Sequence, residues 1–135
     1  MGRTEEAFNF YRTVFRTEFA MPPQRMSDAP TEPGMPSLSE AEKRMVLHVE
    51  LPIVGGHVLM GTDALESMGH KVVFGTNVSI NLEPDNREET RRLFLALAEG
   101  GKVTMDLQDM FWGAYYGAVT DRFGVQWMVN CTAKP

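Results

Sequence analysis

One motif is written twice along this chain, and that duplication limits the possible fold more than any other feature. An amphipathic helical segment opens each half. Residues 4–19 carry Ala7, Phe8, Tyr11, Val14 and Phe15 at helical spacing, which makes one face apolar and aromatic. Residues 86–101 carry Leu93, Phe94 and Leu97 in the same way. Thr4 stands where a helix cap belongs, with Glu5 and Glu6 in the first turn, where the helix dipole favours anions. Asn86 followed by Glu89 reads as a capping box, and Gly100-Gly101 stops the second helix. The pair Glu5-Glu6 aligns with Glu88-Glu89, and each helix is followed by a hairpin. Gly56-His57-Val58-Leu59-Met60 matches Gly124-Val125-Gln126-Trp127-Met128 within those hairpins.

Alternation of apolar and polar residues predicts strands at 45–53, 57–63, 77–82, 102–109, 115–120 and 125–131. Leu47, Val49 and Leu51 face one way, against His48 and Glu50. Val78, Ile80 and Leu82 oppose Asn77, Ser79 and Asn81. Val103, Met105 and Leu107 oppose Thr104 and Asp106. Trp127 and Val129 oppose Gln126, Met128 and Asn130. Period two with one apolar face marks half-buried antiparallel sheets, whose apolar faces pack under the two helices. The second faces hold Asn, Ser, His and Met, unusual choices for simple solvation, so they are expected to line a small-molecule cleft. Between the first helix and its hairpin, residues 21–39 hold five of the eight prolines, Pro22, Pro23, Pro30, Pro33 and Pro36, and read as a loop. Ser39 with Glu42 starts one short helical turn before the next strand.

The whole chain excludes several classes of function. Its 135 residues suit one domain, and 23% charged with 43% hydrophobic residues is globular composition. A net charge of −5 argues against nucleic acid. No apolar run reaches the roughly 20 residues that span a bilayer, and the polar start Met1-Gly2-Arg3-Thr4 is no signal peptide. A single cysteine, Cys131, forms no internal disulfide, so a cytoplasmic protein is expected. Nothing around Cys131 suggests a reactive thiol, and neither Ser67 nor Ser79 belongs to a legible triad.

Thr4-Glu5-Glu6-Ala7-Phe8-Asn9-Phe10-Tyr11, Leu59-Met60-Gly61-Thr62-Asp63, Asn77-Val78-Ser79-Ile80, Gly100-Gly101-Lys102-Val103, Met110-Phe111-Trp112-Gly113-Ala114 and Asp121-Arg122-Phe123-Gly124-Val125-Gln126-Trp127-Met128 run nearly from end to end. Together they resemble the PhnB-like branch of the vicinal oxygen chelate superfamily, which holds glyoxalase I, extradiol dioxygenases, and the bleomycin and fosfomycin resistance proteins. The resemblance implies an α+β fold of tandem βαβββ modules, residues 1–70 and 71–135 of a single domain. Each module forms a curved antiparallel half-barrel with a helix on its convex face, and a homodimer is implied. The family begins with a strand before the first helix, and only Met1, Gly2 and Arg3 precede Thr4 here. The branch is often labelled demethylubiquinone methyltransferase-like, yet no glycine-rich methyl-donor loop follows a strand.

Metal-dependent relatives hold a divalent ion with His, Gln or Glu. The resemblance places Met60, Met128 and Asn77 at three of those positions, a poor donor set for a hard or borderline cation. Hence no metal and no cofactor is expected. The strongest residual ligand pair is His48 with Glu50 on one strand face, read here as hydrogen-bonded lining. The expected function is metal-independent binding of a small organic molecule, with no catalysis assigned. Trp112 and Trp127 would stack on it, Met60 and Met128 would form a soft floor, and Asp63, Asn77 and Asn130 would hydrogen-bond to it, beside His48. The alternative is a metal-dependent lyase, isomerase or dioxygenase of the same superfamily. Tyr115 and Tyr116 are read as packing.

Overall fold

The structure is a computed structural model, and it describes residues 2–135. The chain divides into two compact units, residues 1–73 and 74–135. Each is built from one helix, or one helix and a short turn, on a small sheet. Among the described residues no helix is long and apolar enough to cross a membrane.

The first unit opens with α1 (Thr4–Phe15), whose buried face is the expected one: Ala7, Phe8, Tyr11, Val14 and Phe15. Its start differs from the sequence reading. Arg3 occupies the N-cap position with no side-chain cap, and the Thr4 N–H donates to Asp63 Oδ1 at 3.1 Å. Its end comes early, because Arg16 turns left-handed (φ 55°), and the Thr17 hydroxyl then donates to Pro52 O at 2.8 Å. The proline-rich segment contains a strand the sequence did not reveal. This is β1 (Gln24–Arg25), followed by a single 3-10 turn that buries Met26. Two residues are too few for a periodic signal, and the strand exists because Gln24 pairs with His48 and Arg25 with Val46. The short α2 (Glu40–Arg44) starts as expected, with Ser39 and Glu42 closing a capping box. Then β2 (Val46–Pro52) and β3 (Val58–Gly61) complete an antiparallel sheet of order β1-β2-β3. Gly61 accommodates the helix: a Cβ there would lie 2.5 Å from the Phe8 ring.

The second unit is a complete βαβββ module. It runs β4 (Ile80–Leu82), α3 (Arg87–Ala98), β5 (Lys102–Asp109), β6 (Tyr115–Thr120) and β7 (Gln126–Cys131), in sheet order β4-β7-β6-β5. Strand β4 joins β7 in parallel, and the other pairs are antiparallel. Asn86 caps α3, its Oδ1 accepting from Glu89 N at 2.7 Å. Leu93, Phe94 and Leu97 bury against the sheet, where Gly117 leaves room for the Phe94 ring: a Cβ there would lie 2.7 Å from it. The core side of the sheet comprises Leu82, Gly117, Val119, Trp127, Val129 and Cys131.

Two expected apolar faces are not buried. Val78 precedes β4 and is 71% exposed, because the strand starts only at Ile80. Strand β5 is exposed on nearly every residue, and its pairing with β6 slips between Val103 and Met105 and again between Met105 and Gln108. Those irregularities break the period-two face. Val103 stands opposite Val119 on the core side, whereas Met105 stands opposite Ala118 on the other side.

Candidate functional site

The open face of the second unit follows from register, since residues directly opposite in a sheet share a face. One row across the sheet is Asn81, Met128, Ala118 and Met105, and the next is Asn130, Tyr116 and Gln108. The hairpin turn between β5 and β6 lies beside the second row. Hydrogen bonds from Met110 N to Ala114 O at 2.8 Å and from Gly113 N to Met110 O at 3.0 Å close this turn. Phe111 and Trp112 project from its tip, 96% and 53% exposed. The Trp112 ring meets Phe111 edge-on at 5.1 Å and Tyr116 at 6.0 Å, both between centroids. The Tyr116 hydroxyl donates to Met128 Sδ at 2.9 Å. Trp112, Tyr116 and Met128 therefore form a continuous aromatic and thioether surface. Asn130 sits at its border, donating from Nδ2 to Glu83 Oε1 at a long 3.4 Å.

Polar groups around this face are held in fixed places. Gln126 Nε2 donates to Gly75 O and Val78 O, at 2.9 and 3.0 Å, and so ties down the segment that contains Asn77. Asn77 itself is exposed and lies three residues before β4, while Asn81 is the β4 residue in register with Met128. At the far side of the sheet, Arg87 forms a fork to both Asp109 oxygens at 2.7 and 2.9 Å and lies 4.0 Å over the Tyr115 ring. That hydrogen bonding holds the Asp109 carboxyl below its usual range.

The first unit's open face is smaller and more polar. His48 and Glu50 point the same way on β2, and His48 Nε2 lies 3.1 Å from Glu50 Oε2. Gln24 stands across from His48, and Met60 across from Glu50. Met60 is 59% exposed.

Two residues leave the candidate set. Trp127 is 1% exposed and belongs to the core side, with its Nε1 donating to Asp121 Oδ2 at 2.8 Å, so it offers no ring to a ligand. Asp63 is buried and both oxygens are already used, Oδ1 by Thr4 N and Oδ2 by Val46 N at 2.8 Å. It fastens the start of α1 to the start of β2. Tyr116, Asn81 and Met105 join the set instead. For Tyr116 and Asn81, strict alternation carried the signal, because Tyr116 and Asn130, and Asn81 and Met128, fall on polar-side positions of their strands. The slips in β5 hid Met105.

The positions to which the resemblance assigns the superfamily's metal ligands hold Met60, Met128 and Asn77, two thioethers and one amide, a donor set that fits a divalent ion poorly. Among the described residues, no three of His, Cys, Asp and Glu stand close enough to hold a metal.

Comparison with known proteins places the chain. The family model described as 3-demethylubiquinone-9 3-methyltransferase matches residues 1–130. Protein YjdN of Escherichia coli K12 is 30% identical over 135 residues, covering 96% of this chain and 88% of YjdN. The crystal structure of PA1353 from Pseudomonas aeruginosa shares 36% identity at a TM-score of 0.77, covering 96% of this chain and 90% of that one. A glyoxalase/bleomycin resistance protein/dioxygenase family enzyme from Burkholderia phytofirmans shares the fold at a TM-score of 0.60 and 15% identity, covering 94% of this chain and 88% of that one. The α+β architecture of two open sheets under helices is thus the glyoxalase-like fold, and the chain belongs to the 3-demethylubiquinone-9 3-methyltransferase family.

Proposed function

We propose that this protein binds a small, largely apolar organic molecule on the open face of the second unit, without a metal ion. The observation that carries this reading is the run of Trp112, Tyr116 and Met128 across one face, each touching the next. An exposed indole beside a phenol gives a wall for a planar ring, and thioethers adapt to its outline. The Tyr116 hydroxyl is the polar handle. A thioether is a weak acceptor, so a ligand carbonyl or ether oxygen that reaches Tyr116 exchanges a weak hydrogen bond for a stronger one. Asn130 and Asn81 supply further amide groups on the same face. A net charge of −5 favours a cationic ligand over an anionic one there.

The family description names a methyltransferase, but no glycine-rich methyl-donor loop follows a strand in this chain, so methyl transfer is not part of the reading. The metal-free aspect rests on donor chemistry: thioethers and an amide suit neither Zn2+ nor Mg2+.

A thermal-shift screen of planar organic compounds, cations included, tests the proposal. A binder raises the melting temperature in proportion to occupancy of the native state. Trp112→Ala is then expected to weaken that compound by about 1–3 kcal/mol, with folding intact because the ring is half exposed. Chelator is expected to leave melting temperature and affinity unchanged. No shift from any compound, an unaltered affinity in Trp112→Ala, or a chelator-sensitive melting temperature would each overturn the reading.

A further inference from the structure

An open cleft of about 620 Å3 lies in the first unit and is lined by Glu5, Arg25, Ser27, Glu40, Lys43 and Arg44. We infer that this cleft is a second binding site, one for a small oxyanion-bearing molecule, a carboxylate or a phosphate. Its walls come from the start of α1, from β1 and the turn after it, and from α2. Three cations face two carboxylates, so the lining is net positive in a chain that is otherwise acidic.

The cations have different duties. Arg25 is fully engaged: its two terminal nitrogens reach both Glu5 oxygens, and Nη1 also donates to Arg44 O at 3.1 Å. Its backbone N–H is held by Asp28 Oδ2 at 2.8 Å. Arg25 is therefore part of the frame, and Glu5 is neutralised by it. Lys43 pairs with Glu40 at 3.0 Å one turn back on a short exposed helix, a contact worth little and easily exchanged. Arg44 lines this cleft and the adjoining one formed by Gly2, Glu5, Arg25, Ala41, Met45, Val46 and Asp63; its carbonyl accepts from Arg25, and its guanidinium makes no ion pair among the described residues. An exposed, unpaired guanidinium beside an exchangeable ammonium presents a planar fork and a point charge. That combination matches the two oxygens of a carboxylate or phosphate. The exposed Ser27 adds a hydroxyl donor.

Long-range charge cannot mimic this site. With a net charge of −5, non-specific attraction works against anions, so saturable binding must come from the local arrangement. The test is NMR titration of the labelled protein with inorganic phosphate and, separately, acetate, each against sodium chloride at matched ionic strength. Saturable shifts are expected at residues around Arg25, Lys43 and Arg44 with one anion or both, and the tighter of the two identifies the headgroup class. Arg44→Gln is expected to weaken binding about ten-fold or more, and Arg44→Lys, which keeps charge but not the fork, to fall between. Trp112→Ala is expected to leave it unchanged, which separates this site from the open face of the second unit. Shifts no larger than those with chloride for both anions, or an Arg44→Gln affinity equal to that of the native protein, would overturn the inference.

Discussion

Removing the Asp121 carboxylate tests how the second unit is held together. Asp121 is buried in the turn between β6 and β7. Its Oδ1 accepts from Phe123 N at 2.8 Å and Val125 N at 3.1 Å, and its Oδ2 accepts from Trp127 Nε1 at 2.8 Å. One side chain thus shapes the turn and satisfies the indole of the largest fully buried residue. In Asp121→Ala the indole N–H is left in the core without this acceptor, at about 1–3 kcal/mol. The two turn N–H groups are half-buried and water reaches them in part, so they add roughly 1 kcal/mol together. The expected total is about 3 kcal/mol, a large share of the stability of a small domain. Asp121→Asn keeps the shape but brings an NH2 where an acceptor is needed, against either the indole or the turn. Its cost is expected to be smaller, about 2 kcal/mol. Urea unfolding followed by tryptophan fluorescence in a Trp112→Phe background reads Trp127 alone, and the midpoint shift at constant slope gives the energy. A loss below about 1 kcal/mol for Asp121→Ala would refute the assignment of this carboxylate as the organiser of the turn.

Gly117→Ala places a methyl 2.7 Å from the Phe94 ring and 3.1 Å from the Leu107 Cα; since Phe94 is buried, an overpacking loss of about 1–3 kcal/mol is expected in the same unfolding assay. The hydrogen bonds from Arg25 hold the Glu5 carboxyl below the usual carboxylate range. A lowered folded-state value stabilises above the unfolded pKa and is lost as pH falls through the folded one. The melting-temperature difference between native protein and Glu5→Gln is therefore expected to be positive at pH 7 and to close below about pH 4; a difference that persists or grows in acid contradicts the pairing.

Much of the fold is legible because local and long-range preferences agree. The buried stripe of α1, the cap at Asn86, the glycine stop after α3 and the hairpin of β6 and β7 all announce themselves in spacing and in turn residues. Illegible features share a cause: partners distant in sequence decide them. Strand β1 exists only through pairing with β2. The slips of β5 leave no mark on its alternating residues, yet they move Met105 to the opposite face from Val103. Asp63 looks like any polar residue after a strand until Thr4 and Val46 arrive to use it. Trp127 is different, because the sequence already held the answer. Alternation sets it with Val129 against Met128 and Asn130, and a site using both Trp127 and Met128 would need two faces of one strand at once.

That constraint also explains where two helix-on-sheet units can differ. A sheet under a helix has one face fixed by packing, and in both units that face is apolar and closed by an aromatic ring lying on a glycine, Phe8 on Gly61 and Phe94 on Gly117. Only the opposite face is free to carry chemistry. In the first unit it holds His48 paired with Glu50, so its polar groups largely satisfy each other. In the second it holds Met105, Met128 and Tyr116 under Trp112, with little charge. Affinity on such a surface comes from contact area and stacking, which select a ligand by shape. The cleft around Arg44 selects by charge instead. Two sites that draw on different forces, on residues that share no element, can be altered independently, which is why a variant of either serves as the control for the other.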